Sequence, residues 1–375
     1  MPNFDHYSLL RRRWLLGAGL SAVLPALSAA TDAQATKLQV AVRLPRDGGA
    51  HPNSGIEWWY LTGWANTREG DARYGFQLTF FRRRVEHTQG MRSPLSARHL
   101  ILADAAITDV TAGTLTHSQR LTRWSGAPSR TNPADEAWAA IENTDVTLAN
   151  WSMSLQADGF HAVAQDAALA LELHCKLTQP ALLQGAQGLS RKGPAEHNVS
   201  HYYSVPQLAV SGKLRVGSKT VSLTDGGRAW LDHEWSGAVL PDGASGWDWI
   251  GINLMDGSAL TAFRVRTTSG ASLWAGGSLR SDSQLRIFGN DEVQFEPRRR
   301  WISPLSKVSY PVAWRVDTPG GTFFIEAAVD AQEIDSRLTS GALYWEGLCN
   351  VYNQQQKLLG RGYLEMTGYG DRLAT

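Results

Sequence analysis

Two short segments gather acids, histidines and tryptophans at spacings that could support proton transfer. The first is His51-Pro52-Asn53-Ser54-Gly55-Ile56-Glu57-Trp58-Trp59-Tyr60. The second is Trp230-Leu231-Asp232-His233-Glu234-Trp235-Ser236-Gly237, with Gly246-Trp247-Asp248-Trp249 close behind it. On an extended strand Trp230, Asp232 and Glu234 point one way and Leu231, His233 and Trp235 the other, because side chains alternate across the backbone. One of those faces must turn toward a barrel interior or a cleft. A carboxyl held there among indoles loses its water, which disfavours the charged form and raises its pKa. Such a group can donate a proton near neutral pH. Glu57, Asp232 and His233 are therefore the candidate catalytic residues, expected beside one aromatic-walled cavity. Trp58, Trp59, Tyr60, Trp235, Trp247 and Trp249 are the candidate ligand-binding wall or rim, each bringing roughly 150–250 Å² of largely apolar surface. The competing reading is that these acids accept indole N–H or arginine bonds inside a closed core. Glu234 and Asp248 read as structural or rim positions.

Other chemistries find little support. His197 and His201 are four apart, which suits a metal on a helix, but Gly193-Pro194 before them and Tyr202-Tyr203 after them indicate loop and strand. No third ligand is placed, so neither a metal nor a cofactor is expected. The chain has no Gly-x-Ser-x-Gly elbow, His-Glu-x-x-His motif, Walker loop or dinucleotide fingerprint. Its two cysteines, Cys175 and Cys349, share no spacing motif and are expected as separate buried thiols.

The elements that must position these residues read as strands. Tyr74, Phe76, Leu78 and Phe80 alternate along one run, the period-two signature of a half-buried strand. Ala157-Asp158-Gly159 and Asp256-Gly257 mark hairpins, the latter between Ile250–Met255 and Ala259–Val265. One helix is expected, from an Asn132 cap and Pro133 into Ala137–Ile141. Many short strands with Gly-rich turns indicate an all-β sandwich or barrel architecture. Gly55-Ile56-Glu57-Trp58 and Gly246-Trp247-Asp248-Trp249 echo one another, which suggests a duplication with one copy in each half.

Length and charge bound the remainder. The 375 residues carry 36 basic and 35 acidic side chains, so no basic surplus exists for nucleic-acid binding. Fifteen Trp against ten Tyr and ten Phe is an unusual ratio that an aromatic-lined site would explain. Arg11-Arg12-Arg13-Trp14-Leu15-Leu16 opens a short apolar run ending near Ala30 and Ala33-Gln34-Ala35, the pattern of a twin-arginine export signal. Residues 1–35 are expected to be removed, leaving no stable membrane span and a periplasmic or secreted protein. The expected domains are 36–215 and 216–375.

These motifs resemble the carotenoid 1,2-hydratase/AttH-like family, in the branch labelled "predicted secreted hydrolase". The resemblance rests on Pro52-Asn53-Ser54-x-Ile56-Glu57-Trp58-Trp59-Tyr60-x-x-Gly63, His201-Tyr202-Tyr203-Ser204-x-Pro206-Gln207-Leu208, the Gly227–Trp235 segment, Gly246–Trp249, Tyr344-Trp345-Glu346-Gly347 and Gly360–Tyr369. It implies two tandem lipocalin-like (calycin) antiparallel β-barrels. In the hydratase branch an Asp-His-x-Trp segment contributes to adding water across an alkene, which maps onto Asp232, His233 and Trp235. That branch also uses a Tyr and an Asp on following strands, where Ala259–Thr268 here carries Phe263 and Arg264. The expected partner is an apolar small molecule: an isoprenoid, a carotenoid or a lipid. Three functions stay open: an acid-catalysing hydratase or hydrolase, a non-catalytic carrier, and a glycan-active β-protein, whose sites also pair carboxylates with tryptophan.

Overall fold

A computed structural model describes residues 41–370 apart from 94, 128, 129, 131–134 and 283. The export signal and the start of the expected helix, Asn132 to Ala134, lie outside the described residues. Most of the described residues form antiparallel strands, as their alternation requires.

The first sheet contains β1 (Ile56–Thr67), β2 (Gly70–Arg84), β3 (His99–Asp109), β4 (Thr114–Trp124), β5 (Ala137–Ala139), β6 (Asp145–Leu148), β7 (Trp151–Leu155), β8 (Gly159–Gln165), β9 (Leu169–Lys176), β10 (Leu182–Leu183), β11 (Leu189–Arg191), β12 (Val199–Val216), β13 (Lys219–Ser222) and β14 (Thr224–Ser236). Its main path runs β4-β3-β2-β1-β14-β12-β9-β8-β7-β6-β5. The end strands β4 and β5 lie against each other and nearly close the sheet into a barrel. The second sheet contains β15 (Ala244–Leu254), β16 (Ala259–Thr267), β17 (Ser272–Ser281), β18 (Gln284–Phe288), β19 (Gln294–Ile302), β20 (Ser309–Thr318), β21 (Gly321–Ala327), β22 (Glu333–Ser336), β23 (Ala342–Tyr352) and β24 (Leu358–Thr367). Its path is β18-β17-β16-β15-β24-β23-β21-β20-β19.

The two paths share one plan: four meandering strands, with the last strand of the sheet returning beside the first. The sequence echo sits at the same place in each plan, at the start of the strand that pairs with the returning one. Both marked hairpins are present, joining β7 to β8 and β15 to β16.

Two expectations are corrected. Ala137–Ala139 is a strand paired with β6, so the tertiary demand for a barrel edge overrides the local capping signal. The boundary expected at 215/216 falls at the end of β12, and β13 and β14 still join the first sheet. The change of sheet comes between Ser236 and Ala244, because β14 is the strand that must return beside β1.

Each sheet has its own apolar interior. Trp59, Leu61, Phe76, Phe80 and Trp235 belong to the first, and Ile250, Ile252, Trp314 and Trp345 to the second. A third cluster fills the seam between the sheets, with Tyr60, Trp64, Trp230, Trp249, Phe263 and Tyr363. Cys175 lies in the first interior and Cys349 in the second, each buried and unbonded. Burial pushes the Cys175 thiol up to about 12 and the Cys349 thiol higher still. Dithionitrobenzoate should therefore leave the native protein unmodified and titrate both thiols after unfolding. Rapid labelling of the native protein would contradict the closed packing of these two cores.

Candidate functional site

Alternation along β1 and β14 divides the candidate residues between two centres. Register pairs Glu57 with Trp235, Trp59 with His233, Trp58 with Glu234 and Tyr60 with Asp232. The first two pairs face the interior of the first sheet and the last two face the seam. The single cavity expected to hold Glu57, Asp232 and His233 together is therefore two places, on opposite faces of β14.

The interior centre is built around Glu57, which is fully buried. Arg82, its direct neighbour across β2, donates Nε–H to Oε2 at 2.7 Å. The backbone N–H of His51 reaches both oxygens at 3.0 and 2.9 Å, and the His51 ring Nδ1 lies 2.8 Å from Oε1. His233 Nε2 lies 2.9 Å from the same oxygen, and its Nδ1 meets the Tyr203 hydroxyl at 3.2 Å. Trp235 stacks between His51 and His201, with centroids 3.7 and 5.0 Å away. A short turn, Arg46–Gly48, closes this end of the barrel, and Gly48 O accepts the Trp59 indole N–H at 3.2 Å. Burial raises the Glu57 pKa, but the Arg82 charge and the His233 and His51 hydrogen bonds outweigh it and hold the carboxyl well below its usual range. His233 is lowered by burial, against the opposing pull of Glu57. Glu57 is thus a fully engaged carboxylate. His51, Glu57 and His233 could each offer a metal-ligand atom within 4.8 Å of one another. Here those atoms are bonded among themselves, and Arg82 supplies the positive charge. His201 lies on β12 in the stack with Trp235, whereas His197 is exposed in the preceding turn.

The second sheet repeats this device. Asp248 stands opposite Arg264 on β16 as Glu57 stands opposite Arg82 on β2. Arg264 Nε reaches Asp248 at 2.6 Å, Arg266 at 3.0 Å, and the Tyr369 hydroxyl donates at 2.8 Å. The echoed acids are equivalent in fold: each is neutralised by an arginine inside its own sheet.

The seam centre is organised by Asp232. Tyr202 O–H donates to Oδ2 at 2.7 Å, and Ser204 O–H and Trp230 N–H donate to Oδ1 at 2.5 and 2.7 Å. Trp249 Nε1 donates to the Tyr202 oxygen at 3.1 Å and Gln184 Nε2 to the Ser204 oxygen at 2.9 Å, which orients both hydroxyls toward the carboxyl. Burial raises the Asp232 pKa and these three bonds lower it; the balance is about 7. Facing it from β24, Glu365 is raised to about 8, by burial first and then by the charges of Asp232 and Glu234, although Trp247 bonds to it. Glu346 on β23 is raised well above its usual value by burial and by Glu365. Lys192 closes the end of the seam, 3.1 Å from Glu234, with its ammonium over the Tyr202 and Phe263 rings at 4.5 and 4.3 Å. Of the expected aromatic wall, Trp58, Tyr60, Trp247 and Trp249 belong to the seam. Trp59 and Trp235 belong to the interior centre.

The sequence profile of the AttH-like family matches residues 35–369. The chain belongs to the AttH-like family. Among solved structures it is 39% identical to a protein assigned as AttH from Nitrosomonas europaea, covering 88% of this chain and 98% of that one, with a TM-score of 0.77. Kievitone hydratase from Nectria haematococca is 13% identical, with 88% and 94% coverage and a TM-score of 0.64. CghA bound to Sch210972 is 14% identical, with 86% and 94% coverage and a TM-score of 0.52. The last two likenesses are of fold, and that fold is the lipocalin-like one. No curated protein matches the sequence.

In this AttH-like chain, Arg82, His51, Tyr202, Ser204 and Glu365 complete the centres; His51 opens the first acid- and tryptophan-rich segment, Tyr202, Ser204 and Glu365 fall in the family-like segments, and Arg82 lies in none of these. Period-two reading of His201–Ser204 also puts Tyr202 and Ser204 on one face of β12. Their pairing opposite Glu234 and Asp232 is a matter of register.

Proposed function

We propose that this chain catalyses addition of water to, or its removal from, an apolar isoprenoid- or lipid-like molecule held at the seam, with Asp232 as the acid. The observation that carries this reading is a carboxyl poised at about 7 among aromatic rings. The Asp232 proton passes to one carbon of a substrate double bond, forming a C–H bond and leaving a carbocation on the other carbon. The faces of Trp230, Trp249 and Tyr60 stabilise that cation. Water then forms the C–O bond, and its spare proton returns to the Asp232 carboxylate, so the enzyme is regenerated. Glu57 and His233 take no part in the transfer and hold the barrel that presents β14. The leader at Arg12-Arg13 would place this activity outside the cytoplasmic membrane.

A carrier reading has one specific observation in its favour. The three oriented donors on Asp232 also describe a structural acceptor that merely fixes Tyr202, Ser204 and Trp230. Incubation with lipids extracted from the native host, in water labelled with heavy oxygen, separates the two. Addition predicts products heavier by one water and carrying the label; removal predicts products lighter by one water. Unchanged lipids recovered bound to the protein would overturn it in favour of carriage.

A further inference from the structure

At the far end of the seam from Lys192, a cleft of about 420 Å³ opens beside Trp64, Asn66, Gln207, Arg228, Asn253 and Arg361. That volume falls in the range of small-molecule sites, roughly 300–1,000 Å³. Arg228 comes from β14 of the first sheet, opposite Trp64, and Arg361 from β24 of the second, opposite Asn253. The cleft therefore straddles both sheets.

Its amides are already committed to the backbone. Asn66 donates to Asp225 O at 3.0 Å and accepts from Ala72 N–H at 2.8 Å. Asn253 accepts from Gln207 N–H at 2.7 Å and donates to Ala229 O at 3.2 Å. Gln207 donates to Leu254 O and Ser258 O at 2.9 and 2.8 Å. The guanidiniums are less occupied. Arg228 bonds Gly227 O beside it at 2.9 Å, and Arg361 Nε bonds Asn350 Oδ1 at 3.2 Å. Among the described ion pairs neither arginine has a carboxylate partner, while Arg73, Arg82 and Arg264 do. Asp71 is the one acid lining the cleft, exposed at its edge. Two guanidiniums against one carboxylate leave a local excess of positive charge. Burial depresses the Arg361 pKa, and the Asp71 charge opposes this. An arginine fork fits a carboxylate with two parallel bonds. Trp64, Leu254 and Met255 supply apolar surface on the same walls.

We infer that this cleft binds an amphipathic carboxylate, its head on Arg228 and Arg361 and its short aliphatic part against Trp64, Leu254 and Met255. The site is separate from the Asp232 centre. Arg228 and Asp232 stand four positions apart on β14, about 13 Å at roughly 3.3 Å per residue. The inference thus stands whether or not Asp232 is catalytic.

Calorimetric titration with octanoate, 1-octanol, acetate and inorganic phosphate tests it. Octanoate should bind at least tenfold more tightly than each of the other three. The advantage over octanol should shrink with added salt and vanish in Arg228→Gln and in Arg361→Gln. Arg228→Lys should keep part of it, and Asp232→Asn should keep all of it. Circular dichroism establishes that each variant is folded; Arg228, with its one local bond, is the safer of the two positions. Equal binding of octanol and octanoate, no binding of octanoate, or an advantage that survives both Gln substitutions would overturn the assignment. Phosphate binding as tight as octanoate would replace the amphipathic carboxylate with a free oxyanion and overturn it too.

Discussion

Glu57→Gln should destabilise the protein by about 3–5 kcal/mol in urea unfolding, the typical cost of breaking a buried ion pair from one side. The substitution leaves the Arg82 guanidinium, fully buried, without its counter-charge. It also loosens His51 and His233, whose rings both meet Oε1. Removing both charges should be less harmful than the sum of the single changes. Glu57→Gln with Arg82→Met is therefore expected to recover part of the loss, a coupling that reads the pair itself. The pH dependence follows from the depressed carboxyl. Its contribution is fully present above the unfolded value near 4.5 and is lost as pH falls through the lower folded value. His233, also depressed, adds to the acid loss, since its folded form resists protonation below 6.5 while the unfolded chain accepts the proton. Wild type and Glu57→Gln should thus converge in acid. A loss below about 1 kcal/mol at neutral pH, the scale of a surface pair, would refute the buried-pair account.

Asp232→Asn should reduce turnover by about 10²–10⁴-fold, the usual contribution of a general acid, while the fold and ligand binding persist. In the wild type the working form is protonated, so the rate should fall as pH rises through about 7. Stability should move in the same sense for the same reason. The raised folded pKa makes the native state hold its proton between the unfolded value of 3.8 and about 7. The group's stabilising contribution is therefore complete in acid and declines across that window as pH rises. This is opposite to Glu57, and the Asn variant should lack the decline. Turnover retained within a factor of three, together with a lowered melting temperature, would identify Asp232 as a structural acceptor for Tyr202, Ser204 and Trp230.

Much of the architecture was legible in the residues alone. Period-two alternation along β1, β2 and β14 establishes strands, because a half-buried sheet imposes that spacing on its side chains. The same alternation separates Asp232 from His233, since neighbours on a strand cannot share a face. The Gly-apolar-acid-Trp echo marks two equivalent strand openings, and the Asp256-Gly257 turn marks the hairpin that places Arg264 opposite Asp248. Tertiary structure decided what each acid experiences. Glu57 and Asp232 look alike in sequence, each an acid within two positions of a tryptophan. Register gives Glu57 the guanidinium of Arg82 and gives Asp232 only neutral donors, so one carboxyl is held ionised and the other is raised to about 7. It also decided where the first sheet ends. The expected boundary at 215/216 precedes β14, yet β14 stays in the first sheet, because the strand that returns beside β1 completes it. The pairing of distant strands sets charge, burial and closure, and local sequence carries none of that information until the chain has folded.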